Sequence, residues 1–229
     1  MYRDVSISPN GKYVMVSFVK EPFSYLVPYY RFPTETHVYD LDAQLVKLIS
    51  DNPLQEVLPK GFMAVSNYKR DIGWRKDKPS TIYYVTALDK GNPEIKVPYR
   101  DALYEWEAPF DQKSILLTKI INRYVGIIWG NDLNAIIYDR WWNSRNSKTY
   151  IFSPSKPDIP AKVIVDRNYQ DRYSDPGDFV TRKGKYGENI LALDGNNAFL
   201  LGDGFSEKGQ FPFLDKINLK LNKKNRIYE

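Results

Sequence analysis

The chain has 229 residues and carries 33 Lys and Arg against 28 Asp and Glu, a formal charge of +5. It has no Cys and one His, which excludes disulfide scaffolds, thiolate metal sites, His-cluster metal sites and Cys nucleophiles, and leaves His37 alone for any Ser-His-Asp triad. No apolar run reaches the roughly 20 residues of a membrane helix, and Met1-Tyr2-Arg3-Asp4 opens without an apolar signal core, so no membrane partner and no signal peptide is expected and no compartment is assigned.

Aromatic residues make up 15% of the chain, with 18 Tyr, 11 Phe and 5 Trp. Flat, bulky side chains suit pleated, half-buried surfaces, so this composition favours strands. The charge is uneven. Residues 1–115 are neutral, with 15 basic and 15 acidic side chains, and residues 116–229 hold the whole excess. A basic half attracts acidic partners, but acidic residues are interleaved through it, which reads as a solvated surface and not as a nucleic-acid patch.

In chain order, Ser8-Pro9-Asn10-Gly11 is a turn tetrad ahead of the alternating run Lys12–Val19. Asn and Gly tolerate positive φ, so a tight reversal joining two strands is expected there. His37–Ile49 then reads as strand, Asp-led turn and strand. The pattern recurs. Strands are predicted at Asp71–Trp74, Thr81–Ala87, Ala102–Glu107 and Ser114–Ile120; at Val125–Trp129, Ala135–Trp141, Thr149–Phe152 and Lys162–Val165; and at Asn189–Leu193, Ala198–Leu201, Phe213–Leu219 and Asn225–Tyr228. This makes four units, residues 4–51, 70–120, 124–167 and 188–229, each of four strands.

Four-stranded units of about 40–50 residues are the signature of β-propeller blades, which bury their faces by stacking on one another. A β-sandwich also uses short strands and frequent turns. The grouping by fours, the turn after the first short strand and the longer connections between units favour an all-β, partial propeller of about four antiparallel blades. Two stretches interrupt the rhythm, residues 21–35 and 166–187. Both are rich in aromatics and are expected to pack. A propeller places its functional loops in such positions.

Few residues carry recognisable chemistry. No Gly-x-Ser-x-Gly elbow, P-loop or Gly-x-Gly-x-x-Gly occurs, and His37 sits beside Tyr39 on a predicted strand, where it reads as structural. Asp171, Asp175 and Asp178 lie close together but flank Pro176-Gly177, so they read as turn residues and not as calcium ligands. Two clusters remain as substrate-binding candidates. Tyr25, Tyr29, Tyr30 and Arg31 set an Arg among aromatics on a loop, an arrangement suited to a carboxylate. Arg140, Trp141 and Trp142, with Arg145 and Lys148 nearby, offer a stacking surface at a strand end. The bland alternative for both is packing. No cofactor and no metal is expected.

Several phrases resemble a known family. They are Ser8-Pro9-Asn10-Gly11-Lys12, Ser24-Tyr25-Leu26-Val27-Pro28-Tyr29, Ile72-Gly73-Trp74-Arg75-Lys76-Asp77-Lys78-Pro79-Ser80-Thr81-Ile82-Tyr83-Tyr84-Val85, Arg140-Trp141-Trp142, and Asp166-Arg167 through Asp171-Arg172-Tyr173-Ser174-Asp175-Pro176-Gly177. Their order over nearly the whole chain is similar to the N-terminal propeller of the prolyl oligopeptidase family of serine peptidases, in its glutamyl endopeptidase-like branch. In that family the propeller precedes an α/β-hydrolase domain that carries the catalytic Ser, Asp and His, and it restricts entry to peptides. The resemblance implies a fragment whose partners are that absent domain, the remaining blades and peptide substrates. It maps no catalytic residue onto this chain, so the chain alone is expected not to be an enzyme. A part-propeller would leave apolar end-blade faces open, which favours self-association. The rival expectation is an autonomous binding propeller for an acidic ligand or a protein partner. A self-contained enzyme would need carboxylates alone, and no spacing singles out a pair.

Overall fold

The computed structural model describes Met1–Glu229. The chain contains no α-helix, and its single helical turn is a 3-10 turn at Tyr29–Arg31. It divides into two compact units, Met1–Lys119 and Ile120–Glu229.

In the first unit, β1 (Tyr2–Ile7), β2 (Val14–Val19), β3 (Thr34–Tyr39) and β4 (Leu45–Asn52) form one antiparallel sheet in sequence order. A second follows in the same order, from β5 (Arg70–Trp74), β6 (Thr81–Ala87), β7 (Asp101–Glu107) and β8 (Ile115–Ile120). Strand side chains alternate between faces, and the register lines up Met15 with Val38, Ser17 with Thr36 and Val19 with Thr34 on one face of the first sheet. That face stacks on the second sheet, where Met15, Val38 and Ile49 share a core with Trp74, Ile82 and Phe110. Burying each such side chain stabilises the stack by roughly 1.5–3 kcal/mol.

The Ser-Pro-Asn-Gly turn forms where the sequence places it. Gly11 takes a φ of 71°, and Asn10 Oδ1 accepts hydrogen bonds from Ser8 Oγ and the Lys12 amide. The same oxygen accepts one from Ser80 Oγ at 2.7 Å, and the Asn10 amide donates to Pro79 O at 3.1 Å. One turn side chain therefore joins the first sheet to the second.

In the second unit, β9 (Arg123–Asn131), β10 (Asn134–Trp141), β11 (Asn146–Phe152) and β12 (Lys162–Asn168) form the third four-stranded sheet. The fourth differs from expectation. Its first strand is β13 (Asp178–Phe179), not Asn189–Leu193. β14 (Thr181–Lys183) and β15 (Asn189–Leu191) pair with each other as a separate hairpin. β16 (Asn197–Gly202) takes β13 on one edge and β19 (Phe213–Asn218) on the other, and β20 (Lys223–Tyr228) completes the sheet. A small hairpin of β17 (Phe205–Ser206) and β18 (Gly209–Gln210) interrupts it. The physical reason lies at Gly177. It has a φ of 82°, and a Cβ there would come within 2.6 Å of Leu201 O. Glycine alone permits that approach, which lays Asp178 opposite Leu201 and Phe179 opposite Leu200. Phe179, Leu191, Leu200 and Ile217 then pack with Ile136 of β10.

Candidate functional site

The first candidate cluster rides on the insertion between β2 and β3. The loop is closed at its neck by the Lys20 amide donating to Pro33 O at 3.0 Å. Its tip is the turn at Tyr29–Arg31, where the Arg31 amide donates to Pro28 O and the Phe32 amide to Tyr29 O. Two bonds tether it to the connector before β5: Ser24 Oγ donates to Glu56 Oε1 at 2.7 Å, and the Gln55 amide to Arg31 O at 2.9 Å. Packing is poorer than the sequence suggested. Phe23 meets Phe32 at 5.6 Å, but Tyr25 is fully exposed and Tyr29 and Tyr30 are more than half exposed. The structure brings Tyr29, Tyr30 and Arg31 together in one turn, the two rings edge-on at 6.3 Å. Arg31 Nε is buried without a hydrogen-bond partner.

Beside this turn lies a cavity of about 360 Å³, lined by Tyr30 together with Arg3, Ser17, Thr36 and Lys69. Lys69 was not singled out by sequence, because only the fold surrounds it. Its Nζ donates to Ile49 O at 2.7 Å and stands 4.7 Å from the Tyr84 ring and 4.9 Å from the Trp106 ring. Lys47 Nζ approaches the same Trp106 ring at 5.0 Å. Burial, and secondarily the Lys47 charge, hold the Lys69 ammonium below its ordinary range. The second sheet also holds a buried guanidinium. Arg75 is bidentate to Asp77, at 3.1 and 2.6 Å, and reaches Glu105 at 2.5 Å, so its charge is neutralised inside the fold.

His37 lies on the other face of the first sheet. One ring nitrogen meets Tyr39 Oη at 3.0 Å and the other Glu35 Oε2 at 2.9 Å, with Phe18 packed edge-on. Around it that face is apolar and open: Tyr2, Val14, Val16, Phe18, Tyr39 and Leu41 line a concavity of about 810 Å³.

The second cluster belongs to the second unit, at the end of β10. Arg140 is exposed, its guanidinium 4.4 Å from the Tyr169 ring centre. Trp142 is exposed and carries Arg145 at 3.9 Å on its ring, while Trp141 is half-buried. This strand end is anchored by Asp139, which is fully buried. Asp139 accepts from the Asn122 amide at 2.8 Å, Asn122 Nδ2 at 3.1 Å, the Lys148 amide at 3.0 Å and Tyr150 Oη at 2.6 Å. Burial raises its pKa, although each of those bonds opposes the rise. Further along, Asp175 pairs with Arg167 at 2.5 Å and caps the Gly177 amide, while Asp171 accepts from the Tyr173 amide at 3.0 Å. These carboxylates are engaged in turn bonds.

No family model matches the chain. It is 34% identical over 236 residues to the probable chloroplastic glutamyl endopeptidase of Oryza sativa subsp. japonica, and 33% identical over 237 residues to that of Arabidopsis thaliana. Both matches take in the whole chain and 25% of the relative, so the chain spans about a quarter of the relatives' length. Among solved structures, the β-propeller domain of the Trilobed protease from Pyrococcus furiosus matches all of the chain and 58% of its own, with a TM-score of 0.52 at 12% identity. The four-stranded antiparallel sheets and that likeness agree on the fold. The chain is an all-β propeller segment, similar along its whole length to a quarter of two plant proteins named probable glutamyl endopeptidases.

Proposed function

We propose that the chain is the non-catalytic propeller part of a serine peptidase, where it gates access and helps position peptides for an α/β-hydrolase domain outside the chain. The observation that carries this reading is the whole-length match to a quarter of a glutamyl endopeptidase. Two features support it. The exposed aromatics at Tyr25, Tyr29 and Tyr30 form a rim able to contact an unfolded peptide. The open apolar face at Val14, Val16 and Phe18 has the alternation of the buried Met15 face, and we assign it to stacking against another four-stranded blade.

The purified chain is expected to hydrolyse no fluorogenic peptide and to take no label from a fluorophosphonate serine probe. Serine-dependent turnover would refute the non-catalytic assignment. Replacing the matching quarter of the rice relative with this chain tests the gating role. The chimera is expected to cut short peptides and spare folded proteins, and removal of residues 22–32 is expected to admit larger substrates. An unchanged size limit would refute the role of the loop.

A second reading, an autonomous binding propeller for an acidic ligand or a protein partner, draws on the exposed Arg140 and on the Trp142–Arg145 stack. Retention of acidic peptides by the purified chain, lost in Arg140→Gln, would favour it.

A further inference from the structure

We infer that the cavity between the first two sheets, with Lys69 at its wall, is a binding site for a single carboxylate group. Lys69 and Lys47 converge on the Trp106 ring, at 4.9 and 5.0 Å, and neither has a carboxylate within ion-pair distance. Two like charges set against one ring without a counter-ion repel one another, and an anion beside Lys69 relieves the repulsion. Lys69 Nζ spends one of its three donors, on Ile49 O, and keeps two.

The rest of the wall is rich in donors. Arg3 lines the cavity without an ion-pair partner, and the Tyr30 hydroxyl has none either. Ser17 Oγ and Thr36 Oγ1 lie 2.8 Å apart, so one hydroxyl proton bridges them and the other is free to point into the cavity. The opposing charges are accounted for. Asp71 is taken by Arg70 at 2.7 Å, and Arg70 also holds the buried Asp101. Asp4 is the one free carboxylate on the wall. Among the lining side chains Arg3, Lys69 and Arg70 stand against Asp4 and Asp71, an excess of one positive charge, with Lys47 and Asp101 offsetting each other behind the wall, which suits a monoanion better than a phosphate dianion. The aromatic rings flanking Lys69 fix its ammonium in place, so binding costs little side-chain ordering. The site stands apart from the gating role, since a chain that gates nothing would still bind.

The test is a titration of ¹⁵N-labelled chain, at constant ionic strength, with N-acetylglycinate as a peptide C-terminus and N-acetylglutamate α-amide as an acidic side chain. Saturable amide shifts at Ser17, Thr36 and Lys69 are expected with at least one, and the tighter of the two names the source of the carboxylate. Lys69→Met is expected to weaken binding roughly tenfold or more, the loss of a charged hydrogen bond. Where that variant fails to give a native-like spectrum, Arg3→Gln, at an exposed position, is expected to weaken binding by about threefold. Absence of saturable shifts would overturn the assignment. So would equal binding of N-acetylglycinamide, equal binding of inorganic phosphate, or undiminished binding in a natively folded Lys69→Met.

Discussion

Asp139 is the place where one substitution separates hydrogen bonding from charge. Its carboxylate accepts four hydrogen bonds, two on each oxygen, from Asn122, Lys148 and Tyr150. An amide in Asp139→Asn presents an NH₂ to one of those pairs. Placed at either oxygen, it faces a backbone N–H, that of Asn122 or of Lys148, and leaves that donor unpaired. One orphaned donor costs about 1–3 kcal/mol. Asp139→Ala orphans both backbone donors and the Tyr150 hydroxyl together, and water entering the space recovers part of the loss, so about 3–5 kcal/mol is expected. The assay is chemical denaturation followed by far-UV circular dichroism and by fluorescence, with the slope unchanged and the midpoint lowered. The pH dependence adds a second arm. Because burial raises the folded pKa above the ordinary 3.8, the folded state binds the proton more tightly than the unfolded one. The group's contribution is then most favourable below about 4 and declines as pH rises through the raised value. The gap between the native chain and Asp139→Asn is therefore expected to widen in acid. A midpoint for Asp139→Asn equal to that of the native chain would refute the four-bond account, and a gap that narrows in acid would refute the assigned direction of the shift.

Two further outcomes test the first unit. Asn10→Ala removes an acceptor shared by Ser8, Lys12 and Ser80 and is expected to cost about 1–2 kcal/mol and to raise amide exchange at both Ser8–Lys12 and Ser80. Faster exchange confined to the Ser8–Lys12 turn would show that the bond to the second sheet contributes nothing. Glu35 is held below its ordinary 4.5 chiefly by its hydrogen bond to Lys20, at 2.5 Å, with a further bond to His37. An acid with a lowered folded pKa contributes stability above its ordinary value and loses it as pH falls through the folded one. Glu35→Gln is thus expected to flatten the stability profile below about pH 4.5. A profile as steep as that of the native chain would refute the assignment.

The strands were legible because their physics is local. Val14, Val16 and Phe18 alternate with Met15, Ser17 and Val19, and an Asn-Gly turn precedes them, so pleat and reversal are both encoded within a dozen residues. The family phrases were legible for the same reason, as runs of neighbours. The two candidate clusters were visible only as residue types. The sequence placed Arg31 among tyrosines and Arg140 beside tryptophans, but it did not show that the insertion leaves Tyr25 exposed or that Arg140 lies against Tyr169.

Other features depended on contacts between distant residues. Two segments, Asp178–Phe179 and Asn189–Leu191, were both able to form a strand. The choice of the first for the fourth sheet was made by the close approach of Gly177 to Leu201, 24 residues later in the sequence. Lys69 looked like any surface lysine. The second sheet gives it the Tyr84 and Trp106 rings, and the first sheet gives it the Ile49 carbonyl and the repelling Lys47. The sequence by itself determined the strands, the tight turns and the kinship, because periodicity, φ preference and shared phrases are properties of neighbours in the chain. Strand partnership, buried charge and the donor-lined cavity beside Lys69 were decided by the tertiary structure, because each depends on which distant side chains displace water from the same space.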